Sequence, residues 1–203
     1  MASSKGRNPN HPRKGSSIKV EPIRDLGAIA TIKEYLTNTP RDLCLFTVGI
    51  NTAYRANELL SISVGQVEHL NVGDLLELKQ SKTGKYRATP LNRPAFESIQ
   101  HWLAAYPAQR SPYSPLFISR TGEALKVSTV SRMVKEWCRK AGLKGNYGSH
   151  SLRKTWGFHQ RIQMDTAVPI LMEAFGHTTQ KQTLEYLGIQ SAEIMDIYLR
   201  MEL

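Results

Sequence analysis

Cysteine is scarce in this sequence, and long apolar runs are absent. The two cysteines, Cys44 and Cys138, lie in apolar patterns of helical spacing, with no metal-ligand spacing around them. Both are predicted to be reduced core residues of a cytosolic protein, which argues against a disulfide framework or a zinc site. No run of about eighteen apolar residues occurs, so no membrane-spanning helix is expected. The start, Met-Ala-Ser-Ser-Lys-Gly-Arg, lacks the apolar core of a signal peptide, so a cytoplasmic location is expected.

Acidic residues are the other shortage. Asp and Glu number 17 against 27 Lys and Arg, which gives a formal net charge of +10. Such a surplus indicates a polyanionic partner, with nucleic acid first and an anionic membrane second. With 203 residues and 40% apolar composition, the chain can form one large domain or two small ones around a real core.

The periodicity predicts one mainly helical domain preceded by a flexible basic arm. Residues 1–20 are largely Lys, Arg, Asn, Pro, Ser and Gly, and such an arm either lies along phosphates or serves as a solubilising tail. Residues 21–203 show no internal repeat and no second domain boundary. Strands over 75–79 and 86–91 are predicted to pair as a hairpin, so the expected fold class is mainly α with a small antiparallel β-sheet (α+β). The predicted helices cover 25–36, 41–53, 93–105, 128–141, 150–163, 168–175, 180–187 and 191–203.

His150 and Arg153 are the first candidates for binding an anion. On a helix, residues three apart lie on one face, so this imidazole and this guanidinium point at the same small volume. Both side chains donate hydrogen bonds, and the arginine does so as a two-pronged fork. Taken alone, so short a pattern more often marks a solvated, basic helix start.

Arg55 and Glu58 follow directly after a predicted buried helix. Charges in that position are costly unless they are paired or face a ligand. A structural salt bridge between the two is the simpler interpretation. The alternative is that Glu58 orients the arginines of a site.

Other basic residues are candidate DNA contacts. Lysines crowd the tip of the predicted hairpin, where Gly84 can take a positive φ angle, and Lys82 on that tip can reach into a site formed elsewhere. A helix predicted to be capped by Ser128 carries a basic stripe on one face. Each of these positions is as typical of a solvated surface as of a phosphate contact. The candidate contacts are Lys79, Lys85, Arg132, Lys135, Arg139 and Lys154.

Six residues, taken in chain order, resemble the catalytic set of the tyrosine recombinase (phage integrase) family. The matching pieces are Arg55-x-x-Glu58-Leu59-Leu60, Ser81-Lys82-Thr83-Gly84, His150-x-Leu152-Arg153, and Leu171-x-x-x-Phe175-Gly176-His177 followed nine residues later by Tyr186. No single piece is specific, but the ordered set is, and it spans about Asp25 to Leu203. Two features depart from the family: Thr52-Ala53-Tyr54 replaces the usual Thr-Gly-Leu, and only the short arm stands where most members carry a DNA-clamping domain. We interpret the first as a packing change that leaves Arg55 in place.

The resemblance implies a site-specific recombinase that cuts and rejoins DNA through a 3′-phosphotyrosyl intermediate. The implied partners are double-stranded DNA in the nucleoid, further copies of this chain in a tetramer on two DNA sites, and an accessory DNA-bending protein as a candidate. No cofactor, metal or membrane is implied. The last helix, 191–203, would dock onto a neighbouring subunit or fold back on its own domain. The implied catalytic residues are Arg55, Lys82, His150, Arg153, His177 and Tyr186.

These residue types suit the chemistry of a phosphodiester. Arg55, Arg153 and His150 would hold the nonbridging oxygens, whose charge otherwise repels a nucleophile. Tyr186 is a phenol with an ordinary pKa of about 10, so it needs nearby cations to attack. Lys82 would protonate the leaving 5′-oxygen as general acid. His177 would orient the phosphate, and since the arginines supply the electrostatic work of a metal, activity in the presence of a chelator is expected.

Two other functions use the same features. A nicking-closing enzyme of the type IB topoisomerase kind shares this residue set but does not exchange strands. A non-catalytic DNA-binding regulator would need only the positive charge. Tyr198, 21 positions beyond His177, is the rival nucleophile, but its apolar neighbours predict packing. Three histidines match no motif and are expected on the surface: His69, His101 and His159.

Overall fold

The structure is a computed structural model that describes residues 19–79, 84, 86–107, 110–188, 195, 198 and 199. The described residues form mostly helices and one two-stranded antiparallel sheet, which confirms the predicted fold class. In chain order the elements are α1 (Leu26–Tyr35), α2 (Pro40–Asn51), α3 (Ala56–Leu60), α4 (Val64–Val67), β1 (Leu75–Lys79), β2 (Tyr86–Pro90), α5 (Arg93–Ala105), α6 (Val127–Lys140), α7 (Ser149–Ile162), α8 (Val168–Phe175) and α9 (Gln180–Leu187).

Most helix ends follow local sequence signals. Asp25 caps α1 by accepting a hydrogen bond from the Gly27 backbone N–H, and Thr179 caps α9 in the same way. The cap predicted at Ser128 is wrong, because α6 begins at Val127 and Ser128 lies inside its first turn. The sequence also did not predict α4, whose four residues are too few to show a period.

Helix α2 is the centre of the main core. Its buried side chains include Leu45 and Phe46, and the Phe46 ring meets Trp137 of α6 edge-on with centroids 5.9 Å apart. Cys44 on α2 and Cys138 on α6 are both free and fully buried, as predicted. Burial raises the pKa of the Cys138 thiol to about 12, so this side chain behaves as an inert apolar residue.

The hairpin is attached to the loop that carries Arg55. Strands β1 and β2 pair from Leu75 with Pro90 to Lys79 with Tyr86. The hydroxyl of buried Tyr54 donates to the Leu76 carbonyl at 2.6 Å, which ties the sheet to the residue just before Arg55. At the tip, Gly84 has φ +69°, in agreement with the predicted turn.

A second, smaller core lies where α8 and α9 pack on α7. Its buried members are Ala53, Leu171, Phe175 and Leu187. Gly157 of α7 allows this packing, since a Cβ there would lie 2.7 Å from Phe175 Cε2 and 2.8 Å from Leu187 Cδ2. This close approach brings Phe175, at the end of α8, and the middle of α9 against α7, which carries His150 and Arg153.

Gly157→Ala is therefore expected to lower the free energy of unfolding by about 1–2 kcal/mol. Overpacking of a close-packed core costs about 1–3 kcal/mol, and the better helix propensity of alanine offsets up to about 1 kcal/mol of this. Chemical denaturation would measure the change. Gly27→Ala, at an exposed glycine of α1, is the control and should leave the free energy of unfolding unchanged or raise it by up to about 1 kcal/mol, because a Cβ there meets only the exposed Asp25 side chain. Equal effects of the two substitutions would contradict the close packing at Gly157.

The segment just before α1 is tied to α7. The Ile23 N–H donates to the Thr155 hydroxyl at 2.8 Å, and that hydroxyl donates to the Ser151 carbonyl at 2.7 Å. His159 Nε2 lies 3.0 Å from the Ile23 carbonyl oxygen, so the prediction that His159 lies free on the surface is wrong. Lys19, predicted as part of the arm, is held by a hydrogen bond from the Asn146 side chain to its carbonyl.

Candidate active site

Arg153 is almost completely buried, with 2% of its surface exposed. Its Nη1 donates to the Ala53 carbonyl and its Nη2 to the Phe175 carbonyl, both at 2.7 Å. The guanidinium also lies 4.8 Å from the centroid of the Phe175 ring. Burial lowers the pKa of Arg153 to about 10, which leaves it charged at neutral pH. These contacts fix the direction of the side chain before any substrate arrives.

Ala53 accepts the first of those bonds in an unusual backbone conformation. Its φ is +54°, in the left-handed region that favours glycine. The Thr52-Ala53-Tyr54 departure from the family pattern therefore places alanine in a conformation that favours glycine, so it concerns the backbone as well as the packing. Arg87 of β2 donates to the same carbonyl at 3.2 Å and to the Thr52 carbonyl at 3.3 Å. Through these two bonds Arg87 connects the sheet to the segment that carries Arg55. No sequence pattern identified Arg87 as a supporting residue.

Arg55 precedes α3 and is paired with Glu58 in the first turn of that helix. The Glu58 carboxylate accepts from the Arg55 backbone N–H at 2.7 Å and from its Nη1 at 2.8 Å. The same carboxylate lies 3.9 Å from Arg153 Nη1 and is 2% exposed. Glu58 thus contacts both arginines, so the two predicted alternatives, ion pair and orienting residue, describe one arrangement.

Phe175 connects the arginines to the aromatic part of the site. Its carbonyl accepts from Arg153 and, at 3.5 Å, from Arg55 Nη2. Its ring stacks on His177 with centroids 5.2 Å apart and meets Tyr186 edge-on at 5.3 Å. Phe175 belongs to the motif that ends at His177, but the sequence did not indicate that its carbonyl would accept hydrogen bonds from both arginines.

Tyr186 of α9 points into this cluster. Its ring contacts the His177 ring edge-on with centroids 5.2 Å apart. Its hydroxyl is buried and has no hydrogen-bond partner within the described part of the chain. The Arg153 guanidinium is near enough to act on that hydroxyl electrostatically, but the two do not meet hydrogen-bond geometry. Burial raises the pKa of the Tyr186 phenol, and the positive charges of Arg153 and Arg55 oppose this shift.

The surroundings lower the pKa of both site histidines, which favours their neutral forms. Burial, with the charges of Arg153 and Arg55, lowers the pKa of His177 to about 4, and its Nδ1 lies 3.0 Å from the Thr183 hydroxyl. His150 is exposed at the start of α7, where loss of part of its hydration and the charges of Arg153, Lys154 and Arg55 lower its pKa. A neutral imidazole still donates one hydrogen bond.

A cavity of about 370 Å³ opens beside Tyr186. His150, Lys154 and His177 line it together with Tyr186, and Lys19 and Val20 of the segment before α1 close one side. The sequence had no signal that placed Lys19 here. One carboxylate, that of Glu185, also lines the cavity, but the two lysines and two imidazoles around the phenol outnumber it, and a phosphate group would find this environment favourable.

The remaining predicted residues divide into three groups. Lys82 and Lys85 lie outside the described residues, and Lys79 is exposed at the end of β1. The basic stripe of α6 is exposed, and its Arg139 pairs with Glu136 at 2.7 Å. Lys154, a candidate DNA contact, is 8% exposed.

The predicted last helix falls largely outside the described residues, and Tyr198 within it is 79% exposed. Among the described residues, no helix has the length and apolar composition of a membrane span. In the same part of the chain, no group of three or more His, Cys, Asp or Glu side chains could hold a metal ion.

Comparison with known proteins gives a consistent result. The sequence model of the phage integrase family matches residues 24–193. A probable integrase/recombinase, YoeC of Bacillus subtilis (strain 168), is 33% identical over 172 residues, covering 84% of this chain and 90% of that protein. Tyrosine recombinase XerC of Proteus mirabilis is 28% identical over 78% of this chain but only 50% of its own length. This chain thus spans about half of that relative.

Solved structures share the fold. The crystal structure of XerA recombinase superposes with a TM-score of 0.73 at 17% identity, covering 89% of this chain and 65% of that one. The crystal structure of a lambda integrase (75–356) dimer bound to a COC′ core site superposes with a TM-score of 0.60 at 19% identity. The match covers 85% of this chain and 60% of that one. The family match, the identity to YoeC and this shared fold, together with the clustered arginines, histidines and tyrosine, show that the chain belongs to the phage integrase family.

Proposed function

We propose that this protein is a site-specific DNA recombinase that breaks and rejoins strands by transesterification, with Tyr186 as nucleophile. The observation that carries the proposal is the place of the Tyr186 hydroxyl, which is buried without a hydrogen-bond partner in the described residues, beside Arg153 and Arg55. A buried polar group without a partner is costly, and such groups recur at functional sites. A phosphate oxygen entering the cavity would supply the missing partner.

In the proposed step, the Tyr186 oxygen forms a bond to phosphorus as the bond to the 5′-oxygen breaks. Arg55, Arg153 and the neutral His150 donate to the nonbridging oxygens, and each such donor stabilises the transition state by about 3 kcal/mol. With its proton on Nε2, His177 accepts from Thr183 at Nδ1 and donates to the phosphate.

The reaction leaves a 3′-phosphotyrosyl bond and a free 5′-hydroxyl. We propose Lys82 as the general acid that protonates this 5′-oxygen, since an alkoxide is a poor leaving group. The bond to tyrosine conserves the energy of the phosphodiester, so a 5′-hydroxyl of another strand can reverse the step without ATP or a metal. Exchange between two DNA sites requires four protomers, which we propose as the active assembly on DNA.

The test is covalent trapping on a nicked duplex whose short 5′ fragment diffuses away after cleavage. Wild-type protein incubated in a chelator with duplexes bearing its recombination site should form a protein–DNA adduct that survives denaturation. Peptide mapping of the adduct should place the nucleotide on Tyr186. Binding of the duplex without any adduct would indicate a regulator, and an adduct with supercoil relaxation but no strand exchange would indicate a nicking-closing enzyme.

A further inference from the structure

Lys154 is more buried than a surface lysine that only contacts DNA. It follows Arg153 on α7 and is almost completely buried. Its Nζ lies 4.7 Å from the centroid of the Tyr186 ring, over the face of that ring. Two consecutive residues of α7 therefore place a cation over an aromatic ring. Arg153 lies over Phe175, and Lys154 lies over Tyr186.

The Lys154 ammonium lies near two carboxylates but is paired with neither: Glu185 lines the same cavity, and Glu21 acts on the ammonium electrostatically. It forms no salt bridge with a carboxylate of the described residues, and it lines the 370 Å³ cavity beside the imidazoles of His150 and His177. Burial lowers its pKa, the charges of Lys19 and Arg24 lower it further, and Glu21 opposes them. A buried ammonium held mainly by an aromatic face is uncommon, because burial of an unpaired charge is costly. The negative face of the Tyr186 ring provides its principal described contact.

We propose that Lys154 is a positioning residue of the cleavage step, which holds the Tyr186 ring in place and stabilises negative charge on its phenol oxygen during attack. This inference rests on the proposed function. A cation over an aromatic face contributes about 0.5–2 kcal/mol, and the contribution grows when the ring gains electron density, as a phenol does while it loses its proton.

The geometry separates this role from that of the general acid. In an in-line displacement the attacking and leaving oxygens lie on opposite sides of phosphorus. Lys154 packs on the ring of the attacking tyrosine, so it lies on the side away from the 5′-oxygen. The phenolic proton leaves for solvent as the oxygen–phosphorus bond forms, while a separate acid protonates the 5′-oxygen.

The test compares Lys154→Met, Lys154→Arg and wild type in single-turnover cleavage of the nicked duplex at saturating protein. Lys154→Met should slow cleavage about 2- to 30-fold at pH 7, as a cation–π contribution of this size requires. The deficit should shrink as rising pH deprotonates Lys154 in the wild type, whose pKa burial lowers. Lys154→Arg should restore most of the rate because it keeps the cation. The matched control is Lys140→Met, which removes an exposed lysine 5.9 Å over the Tyr35 ring, outside the site, and should leave the rate unchanged.

Three results would overturn the inference. A normal rate at saturation with weakened DNA binding would make Lys154 a phosphate contact. An equal, pH-independent loss in both variants would make it a packing residue. If wild type forms no adduct, the proposed function fails, and the inference is then judged by carbon-13 NMR titration of labelled tyrosine, with the Tyr186 signal assigned by Tyr186→Phe. Lys154→Met should raise the pKa of that phenol, and an unchanged pKa would reject the role.

Discussion

Tyr186→Phe is expected to reduce covalent adduct formation to below about a thousandth of the wild-type level, because phenylalanine has no oxygen to attack phosphorus. The same change should leave stability unaltered or raise it by up to about 1 kcal/mol. The Tyr186 hydroxyl is buried and lacks a hydrogen-bond partner in the described residues, so its removal relieves a desolvation cost and breaks no bond. Loss of activity combined with unchanged or higher stability is a signature that misfolding does not produce.

Tyr198→Phe is the matched control for this experiment. Tyr198 is 79% exposed, and the same deletion of one hydroxyl there should leave adduct formation unchanged. Adduct yield on the nicked duplex, DNA affinity and the unfolding midpoint should be measured for both variants. If Tyr186→Phe still forms the adduct, or if Tyr198→Phe fails to form it, Tyr186 is not the nucleophile.

Arg153→Lys is expected to slow cleavage by about 10²–10³-fold and to destabilise the protein. Lysine retains the charge but not the planar fork, so it cannot reach the Ala53 and Phe175 carbonyls together while donating to a phosphate. At least one of the two carbonyls would lose its 2.7 Å bond from Arg153 and keep only its longer contact, with Arg87 at 3.2 Å or Arg55 at 3.5 Å. Loss of a hydrogen bond from a charged donor costs about 1.5–3 kcal/mol. The loss of one preorganised donor accounts for the rate effect.

Arg132→Lys provides the comparison, because Arg132 is exposed on α6. It should keep wild-type stability and cleave normally at saturating protein. Unfolding curves and single-turnover rates, recorded well below the unfolding midpoint, separate the two effects. A normal rate and unchanged stability for Arg153→Lys would show that the bidentate contacts do not matter for either.

The order of chemical side chains along the chain was enough to predict the family. Five of the six candidate catalytic residues lie together in the structure, and the sixth, Lys82, lies outside the described residues. His150 and Arg153 share one helix, so their common face follows from helical spacing alone. The same holds for the ends of α8 and α9, where Gly176 and Gly188 adopt the left-handed conformation that terminates a helix. These are local properties, set by neighbours within about one turn.

The supporting contacts could not be predicted in this way. The Ala53 carbonyl meets Arg153 across 100 residues of sequence, and the Phe175 carbonyl meets Arg55 across 120. Main-chain carbonyls are present at every residue, so no pattern of side chains marks the ones that will be used. Lys154 shows the same limit. Its basic character made it a candidate DNA contact, but the sequence did not predict that its ammonium would lie over the Tyr186 ring.

By itself, the sequence determined the helical class, the hairpin, the positive charge and the set of groups suited to phosphodiester chemistry, because each depends on residue type and short-range spacing. Only the tertiary structure decided that Arg153 is held between two distant carbonyls, that Glu58 contacts both arginines, and that Lys154 covers the Tyr186 ring. The contacts with Phe175 and Tyr186 depend on the packing of α8 and α9 on α7 at Gly157, and those with Ala53 and Glu58 depend on the segment between α2 and α3 lying against α7. Packing depends on the shapes of surfaces that only the folded chain brings together.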